Sequence, residues 1–176
     1  WYTIVDITNV FLSIPLVAKC RPQFAFTWRG IQYTWNQLYQ GWKHSPTSCH
    51  GLVQTALEQS EAPEHLQYID DNLVWGNTAE EVFEKGRRMI QILLKTGFAT
   101  KQSEVKEPAQ EIQFLGIKWQ DGCHHIPIDV INKITAMSPL INKKEPQAFL
   151  SVVGFWRMHI PGYSLIVNRL YPVTPK

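Results

Sequence analysis

Gln67-Tyr68-Ile69-Asp70-Asp71-Asn72-Leu73-Val74-Trp75 is the stretch on which the reading of this chain turns. Two short apolar runs, Gln67-Tyr68-Ile69 and Leu73-Val74-Trp75, flank Asp70-Asp71-Asn72, whose side chains favour turns by hydrogen-bonding their own backbone. The pattern predicts a tight β-hairpin. Alone, the acid pair is an ordinary turn device. Asp6 changes its meaning. It ends the strand-like run Trp1-Tyr2-Thr3-Ile4-Val5, and no other acid follows before Glu58. Two strand-end carboxylate groups in one small sheet can be brought side by side. Crowded carboxylates repel unless a cation joins them, and hard oxygen donors suit Mg²⁺. Paired ions of this kind stabilise both the attacking and the leaving oxygen in phosphoryl-type transfer. The residues alone therefore predict metal-assisted phosphoryl chemistry. The competing reading is a structural domain whose carboxylates bind one stray cation.

Outward from the hairpin, Thr78-Ala79-Glu80-Glu81 is a capping box. Val82, Gly86, Met89, Ile90 and Leu93 then follow helical spacing, and Gly97 is placed to end that helix. Upstream, residues 23–28 and 31–35 around Arg29-Gly30 predict a second hairpin. Ser45-Pro46 predicts a helix start, Ser as cap and Pro in the first turn, running to about Gln59. Downstream, residues 111–120 read as one strand, with Asp121-Gly122 turning into Cys123. From Pro127 the character becomes helical: Val130, Ile131, Ile134 and Met137 predict a short helix. Glu145-Pro146 opens another, which Pro161-Gly162 breaks.

The 176 residues suit one domain plus a small neighbour, and 44% hydrophobic against 18% charged excludes a disordered chain. Net charge is only +2, but it is unevenly spread: +3 over residues 1–50, −5 over 51–111 and +4 over 112–176. An acidic middle between basic ends suits central metal ions with phosphates on either side; a mixed solvated surface is the plainer reading. Cys20, Cys49 and Cys123 are odd in number and far apart, which argues against a disulfide framework and for an intracellular, cytoplasmic setting. No apolar run reaches membrane-span length and no signal pattern is present, so no membrane partner is expected. The chain opens in strand interior without Met, as a fragment of a longer protein would.

With those elements in place, Tyr68-Ile69-Asp70-Asp71 resembles the Y-x-D-D signature of retroviral reverse transcriptases, of the gammaretroviral and endogenous retroviral kind. Residues 5–16, Val5-Asp6-Ile7-Thr8-Asn9-Val10-Phe11 onward, resemble the family's first aspartate motif. Phe24-Ala25-Phe26-Thr27-Trp28 resembles the segment that follows it. Leu38-Tyr39-Gln40-Gly41-Trp42-Lys43-His44-Ser45-Pro46 resembles L-P-Q-G-(F/W)-K-x-S-P. Phe114-Leu115-Gly116 resembles the primer grip, and Gly154-Phe155-Trp156-Arg157 with Ile160-Pro161-Gly162-Tyr163 the start of the thumb. The motifs arrive in family order over nearly the whole chain.

The resemblance implies an α+β fold: a polymerase palm over residues 1–126, a small antiparallel sheet backed by two helices, then a helical thumb fragment over 127–176. It implies RNA-directed DNA polymerase activity, with catalytic Asp6, Asp70 and Asp71 holding two Mg²⁺ ions (Mn²⁺ substituting) and the Ile7 carbonyl adding a ligand. Asn9, Val10, Phe11, Gln40 and Gly41 would meet the incoming deoxynucleoside triphosphate, Phe11 excluding a 2′-hydroxyl. Tyr68, Ile69, Phe114, Leu115 and Gly116 would meet the DNA primer on an RNA or DNA template. Tyr39 stands where Pro is usual, Asn9 where an acid is common, and Ile69 for the commoner Val or Met. Ser103 and Glu104 stand where the family places a Lys that helps protonate pyrophosphate, and Lys101 is out of register. Those departures, with the family's fingers absent ahead of Asp6, predict weak or no polymerisation by this chain alone and suggest the alternative of a silent endogenous retroviral remnant. Cys123-His124-His125 is a poor zinc motif, because neighbours on a strand face opposite ways. The Trp residues read as core, Trp42 and Trp75 partly exposed. Lys143-Lys144 is a better phosphate candidate than Arg87-Arg88.

Overall fold

The structure is a computed structural model that describes residues 1–100, 107–137 and 144–168. The chain gathers into two compact units, Trp1–Ile112 and Gln113–Lys176.

The first unit is built on an antiparallel sheet of β1 (Tyr2–Asp6), β4 (His65–Tyr68) and β5 (Asp71–Trp75), in the order β1-β5-β4. Between β1 and β4 the chain makes a small separate hairpin, β2 (Phe26–Trp28) and β3 (Ile31–Tyr33), and helix α1 (Ser45–Gln59). Helix α2 (Ala79–Lys95) follows β5. Cys49, Val53 and Leu57 form a stripe four residues apart along α1, and Met89, Ile92 and Leu93 line α2. These close over Val5, Ile7 and Val74 of the sheet side to make the core. Full burial of each such side chain stabilises by about 1.5–3 kcal/mol. Gly86 lets α2 approach closely: a Cβ there would lie 3.3 Å from Thr3 Cγ2.

The α2 start follows the sequence. Thr78 caps, its hydroxyl accepting the Glu81 N–H at 3.1 Å. The Glu81 carboxylate accepts the Asn77 N–H at 2.8 Å, one residue further back than a capping box requires. Lys85 beside it, then that Asn77 N–H, hold Glu81 below the usual carboxylate range. At the other end the Phe98 N–H donates to Leu93 O and the Gly97 N–H to Leu94 O, a Schellman closure with Gly97 at φ +91.

Three expectations change. The first hairpin turns at Ile69-Asp70, not Asp70-Asp71-Asn72: Tyr68 pairs with Asp71. β1 draws Asp71 and Asn72 into the ladder as partners of Asp6 and Val5, and Asn72 is fully buried. Ser45 does not cap α1. His44 holds that position, and the buried Ser45 hydroxyl donates to the Tyr39 carbonyl instead, while Pro46 takes the first turn as expected. Residues 111–120 are two strands, β6 (Glu111–Phe114) and β7 (Ile117–Gln120), because Leu115 and Gly116 both take positive φ (+52 and +77) and reverse the chain.

The second unit continues β6 into β7 and β8 (Cys123–His125), a three-stranded meander whose second turn is Asp121-Gly122. Helices α3 (Ile128–Thr135), α4 (Lys144–Phe155) and α5 (Tyr163–Val167) follow, α5 entered through Gly162 at φ +67. The fold is α+β, as expected. No helix among the described residues is long and apolar enough to cross a membrane.

Candidate active site

The hydrogen-bond pattern of the sheet places the carboxylates. Trp1 and Gly76 exchange both backbone bonds, at 2.8 and 3.1 Å, and the Ile7 N–H donates to Asp70 O at 3.0 Å. Antiparallel partners alternate between bonded and non-bonded pairs. Asp6 and Asp71 are therefore a non-bonded pair, the closer kind, with Cα atoms typically about 4.5 Å apart. Strand alternation puts their side chains on the face shared by Tyr2, Ile4 and Leu73, away from the Thr3 and Val5 face that α2 covers. Tyr68 extends the row beside Asp71 and is exposed.

Asp70 sits in the turn immediately before Asp71, near α1. Its charge reaches Cys49: burial first, then Asp70, push the Cys49 thiol up to about 11. Near neutral pH Cys49 is therefore held as the protonated thiol. Among the described residues no three His, Cys, Asp or Glu side chains gather to hold an ion. The donors are all carboxylate oxygens, which suits a hard cation. Asp6 and Asp71 are opposed across the ladder, and Asp70, in the adjoining turn, is the carboxylate that would complete the set.

Ile69 stands at φ +54 in the turn. A β-branched residue there is a genuine outlier, costing about 1–2 kcal/mol. Hydrogen bonds surround it. The Ile69 N–H donates to His50 Nδ1 at 3.3 Å, and Gln67 Nε2 donates to His50 O at 3.1 Å and Ile69 O at 3.4 Å. Asn72 Nδ2 donates to Val5 O and Asp70 O, both at 3.3 Å. Sequence reasoning missed His50, Gln67 and Asn72. A polar residue at the inward position of an apolar strand was the available signal for Asn72.

The other expected site residues fall into two places in the first unit. Asn9 is exposed in the left-handed region (φ 50), where Asn is tolerated, and opens a 3₁₀ turn over Val10–Ser13. Val10 is buried, leaving its backbone for contact, and Phe11 is half-buried against the core. Gln40 and Gly41 lie exposed in the loop before α1. That loop is tied to the 3₁₀ turn: the Leu38 N–H donates to Ile14 O at 2.9 Å and the Leu16 N–H to Asn36 O at 2.8 Å. The Tyr39 ring lies over Gly41, where a Cβ would sit 2.6 Å from it, and leans on Trp35 with ring centroids 5.3 Å apart. Both border an open cleft of about 670 Å³, lined by aromatic side chains and Lys43.

In the second unit Phe114 is buried, whereas Leu115 and Gly116 form the exposed turn. Cys123, His124 and His125 are exposed on β8. Trp42 and Trp75 are half-buried, and Arg87 pairs with Glu84 at 2.9 Å on the exposed face of α2. Lys101, Ser103, Glu104 and Lys143 lie outside the described residues.

A family profile, reverse transcriptase (RNA-dependent DNA polymerase), matches residues 1–119. The chain belongs to the reverse transcriptase family. It is 30% identical to the Gag-Pol polyprotein of woolly monkey sarcoma virus over 99% of its length, and to the Pol polyprotein of feline endogenous virus ECE1 at the same identity and coverage. It spans 11% and 18% of those polyproteins. Among solved reverse transcriptases, the foamy viral protease-reverse transcriptase in complex with double-stranded DNA superposes with a TM-score of 0.84 at 26% identity, over 97% of this chain and 30% of that one. The same enzyme with an RNA/DNA hybrid gives 0.82.

Proposed function

We propose that this reverse transcriptase segment is a polymerase palm over residues 1–126 with the start of a thumb over 127–176, and that it serves RNA-directed DNA synthesis within a longer Pol protein. The observation that carries this is the Asp6–Asp71 cross-strand pair on the sheet face opposite α2, one residue from Asp70. The primer 3′-hydroxyl attacks the α-phosphorus of a deoxynucleoside triphosphate, and pyrophosphate leaves. Asp6, Asp70, Asp71 and the Ile7 carbonyl would hold two Mg²⁺ ions. When bound, Mg²⁺ (or Mn²⁺) neutralises the charge that develops on the reacting phosphate. Asn9, Phe11, Gln40 and Gly41 receive the nucleotide. Tyr68, Ile69 and the Phe114-Leu115-Gly116 turn position the primer on an RNA or DNA template. Nucleic acid in the foamy viral complexes supports the polymer substrate.

Primer extension on an RNA template with Mg²⁺ or Mn²⁺ tests the reading, using the chain, the chain with a retroviral fingers segment fused ahead of Trp1, and that fusion carrying Asp70→Asn. Extension by the fusion that disappears in Asp70→Asn is the expected result. A folded fusion that extends nothing rejects it.

A second reading, a catalytically silent retroviral remnant, is favoured by one feature. The Tyr39 ring covers Gly41, so the nucleotide reaches that backbone only if the ring swings away. Tyr39→Pro in the fusion restores extension under this reading and changes nothing under the first.

A further inference from the structure

The turn carrying Asp70 is two residues long, contains no glycine, and holds a β-branched residue at φ +54. Such strain persists only where the surroundings over-determine it. Here one side chain reaches the strained residue from a different element. His50, on α1, accepts the Ile69 N–H on Nδ1. Its own carbonyl accepts Gln67 Nε2, which also reaches Ile69 O, so helix, strand and turn are tied at one point.

We propose that His50 is a positioning residue for Asp70. By accepting the Ile69 amide it holds the turn in its left-handed conformation and so fixes the direction in which the Asp70 carboxylate leaves the backbone. The inference rests on the reading of Asp70 as a metal ligand. Two alternatives to it are weaker. Asn72 grips the turn as well, but at the Asp70 carbonyl rather than at the Ile69 N–H. Gln67 is engaged through its Nε2 with carbonyls, and it is His50, not Gln67, that accepts the Ile69 N–H. A half-buried amide without an acceptor is costly, so losing the His50 acceptor favours rotation of the Ile69 peptide toward an ordinary φ, carrying Asp70 with it.

The test uses the full chain with His50→Leu, which removes the acceptor, and His50→Asn, whose Oδ1 stands near the place of Nδ1. Amide hydrogen exchange at Ile69, Mn²⁺ binding by electron paramagnetic resonance, and thermal unfolding are measured on each. In His50→Leu, Ile69 exchanges about tenfold faster and Mn²⁺ binds about tenfold more weakly, the change expected from one lost hydrogen bond. In His50→Asn both return toward the wild-type values. Should His50→Leu not fold, His50→Ala replaces it. Unchanged Ile69 exchange overturns the proposal and leaves the reading of Asp70 intact. Faster exchange with unchanged Mn²⁺ affinity also overturns it, as does failure of a folded His50→Asn to recover either quantity. If Asp70→Asn binds Mn²⁺ as tightly as the wild type, the reading of Asp70 has failed and the proposal falls with it.

Discussion

Two hairpins in the first unit each reverse the chain in two residues, by opposite means. β2 and β3 close at Trp28 and Ile31 around Arg29-Gly30, both at positive φ (+48 and +75), the geometry that matches the natural twist of the strands. Every residue of those two strands is exposed. β4 and β5 close at Tyr68 and Asp71 around Ile69-Asp70, where only Ile69 has positive φ and no glycine relieves it. The first turn is set by its own sequence. The second is set by what surrounds it: β1 on one side of β5, α1 beneath, and side-chain amides of Gln67 and Asn72. A turn held from outside can present an acid in a direction its local sequence would not choose.

The sharpest way to break this contrast is Asp70→Asn. In the fingers-restored fusion it lowers primer extension on the order of 100-fold or more, because charge at the reacting phosphate is no longer stabilised. No substitution at Arg29 approaches that. Next is pH. Cys49 has its folded pKa raised from 9.0 to about 11, so between those values the unfolded chain loses its proton first. Stability is full below pH 9, falls by about 2 kcal/mol as pH rises toward 11, and loses that slope in Cys49→Ala, as urea unfolding across this range would show. Asn72→Ala follows. It removes two donated hydrogen bonds from a fully buried site and costs about 2 kcal/mol, whereas Gln32→Ala on the exposed hairpin stays within about 0.5 kcal/mol; thermal melts of the pair measure the difference. Smallest are the turn residues themselves. Gly30→Val is strained at φ +75 and costs about 1–2 kcal/mol, while Ile69→Gly exchanges strain relief for lost packing and changes stability by less than about 1 kcal/mol. A large loss in Ile69→Gly would show that the side chain, not the backbone, holds that turn.

Much of this was legible in the sequence. Thr78 and Gly97 bound α2 because capping and left-handed closure are local chemistry, and Arg29-Gly30 is a local turn signal. Asp6 and Asp70-Asp71 were readable as partners because each stands at the end of an apolar run. What the local pattern misplaced depends on distant contacts. The Ile69-Asp70 turn slips one residue from the Asp-rich triplet because β1 pairs with Asp71 and Asn72, a contact about 65 residues away in sequence that no local propensity records. Ser45 abandons its capping role because Tyr39 O lies within its reach. Leu115-Gly116 was read through as strand because Leu rarely takes positive φ. The nearness of Asp6 to the Asp70-Asp71 pair was expected; the reach of the Asp70 charge to Cys49 was not, since it depends on where α1 packs.

The three thiols also make the molecule its own stopwatch. Cys49 is sealed beneath the Asp70 turn, Cys20 is half-buried and Cys123 is exposed on β8. A small alkylating reagent near neutral pH meets Cys123 directly in solvent. It takes Cys49 only in the moments when α1 lifts from the sheet, since the sealed thiol neither ionises nor meets solvent. The lag between the two adducts in one mass spectrum is therefore a clock for opening beneath the carboxylates, readable without nucleotide, primer or metal.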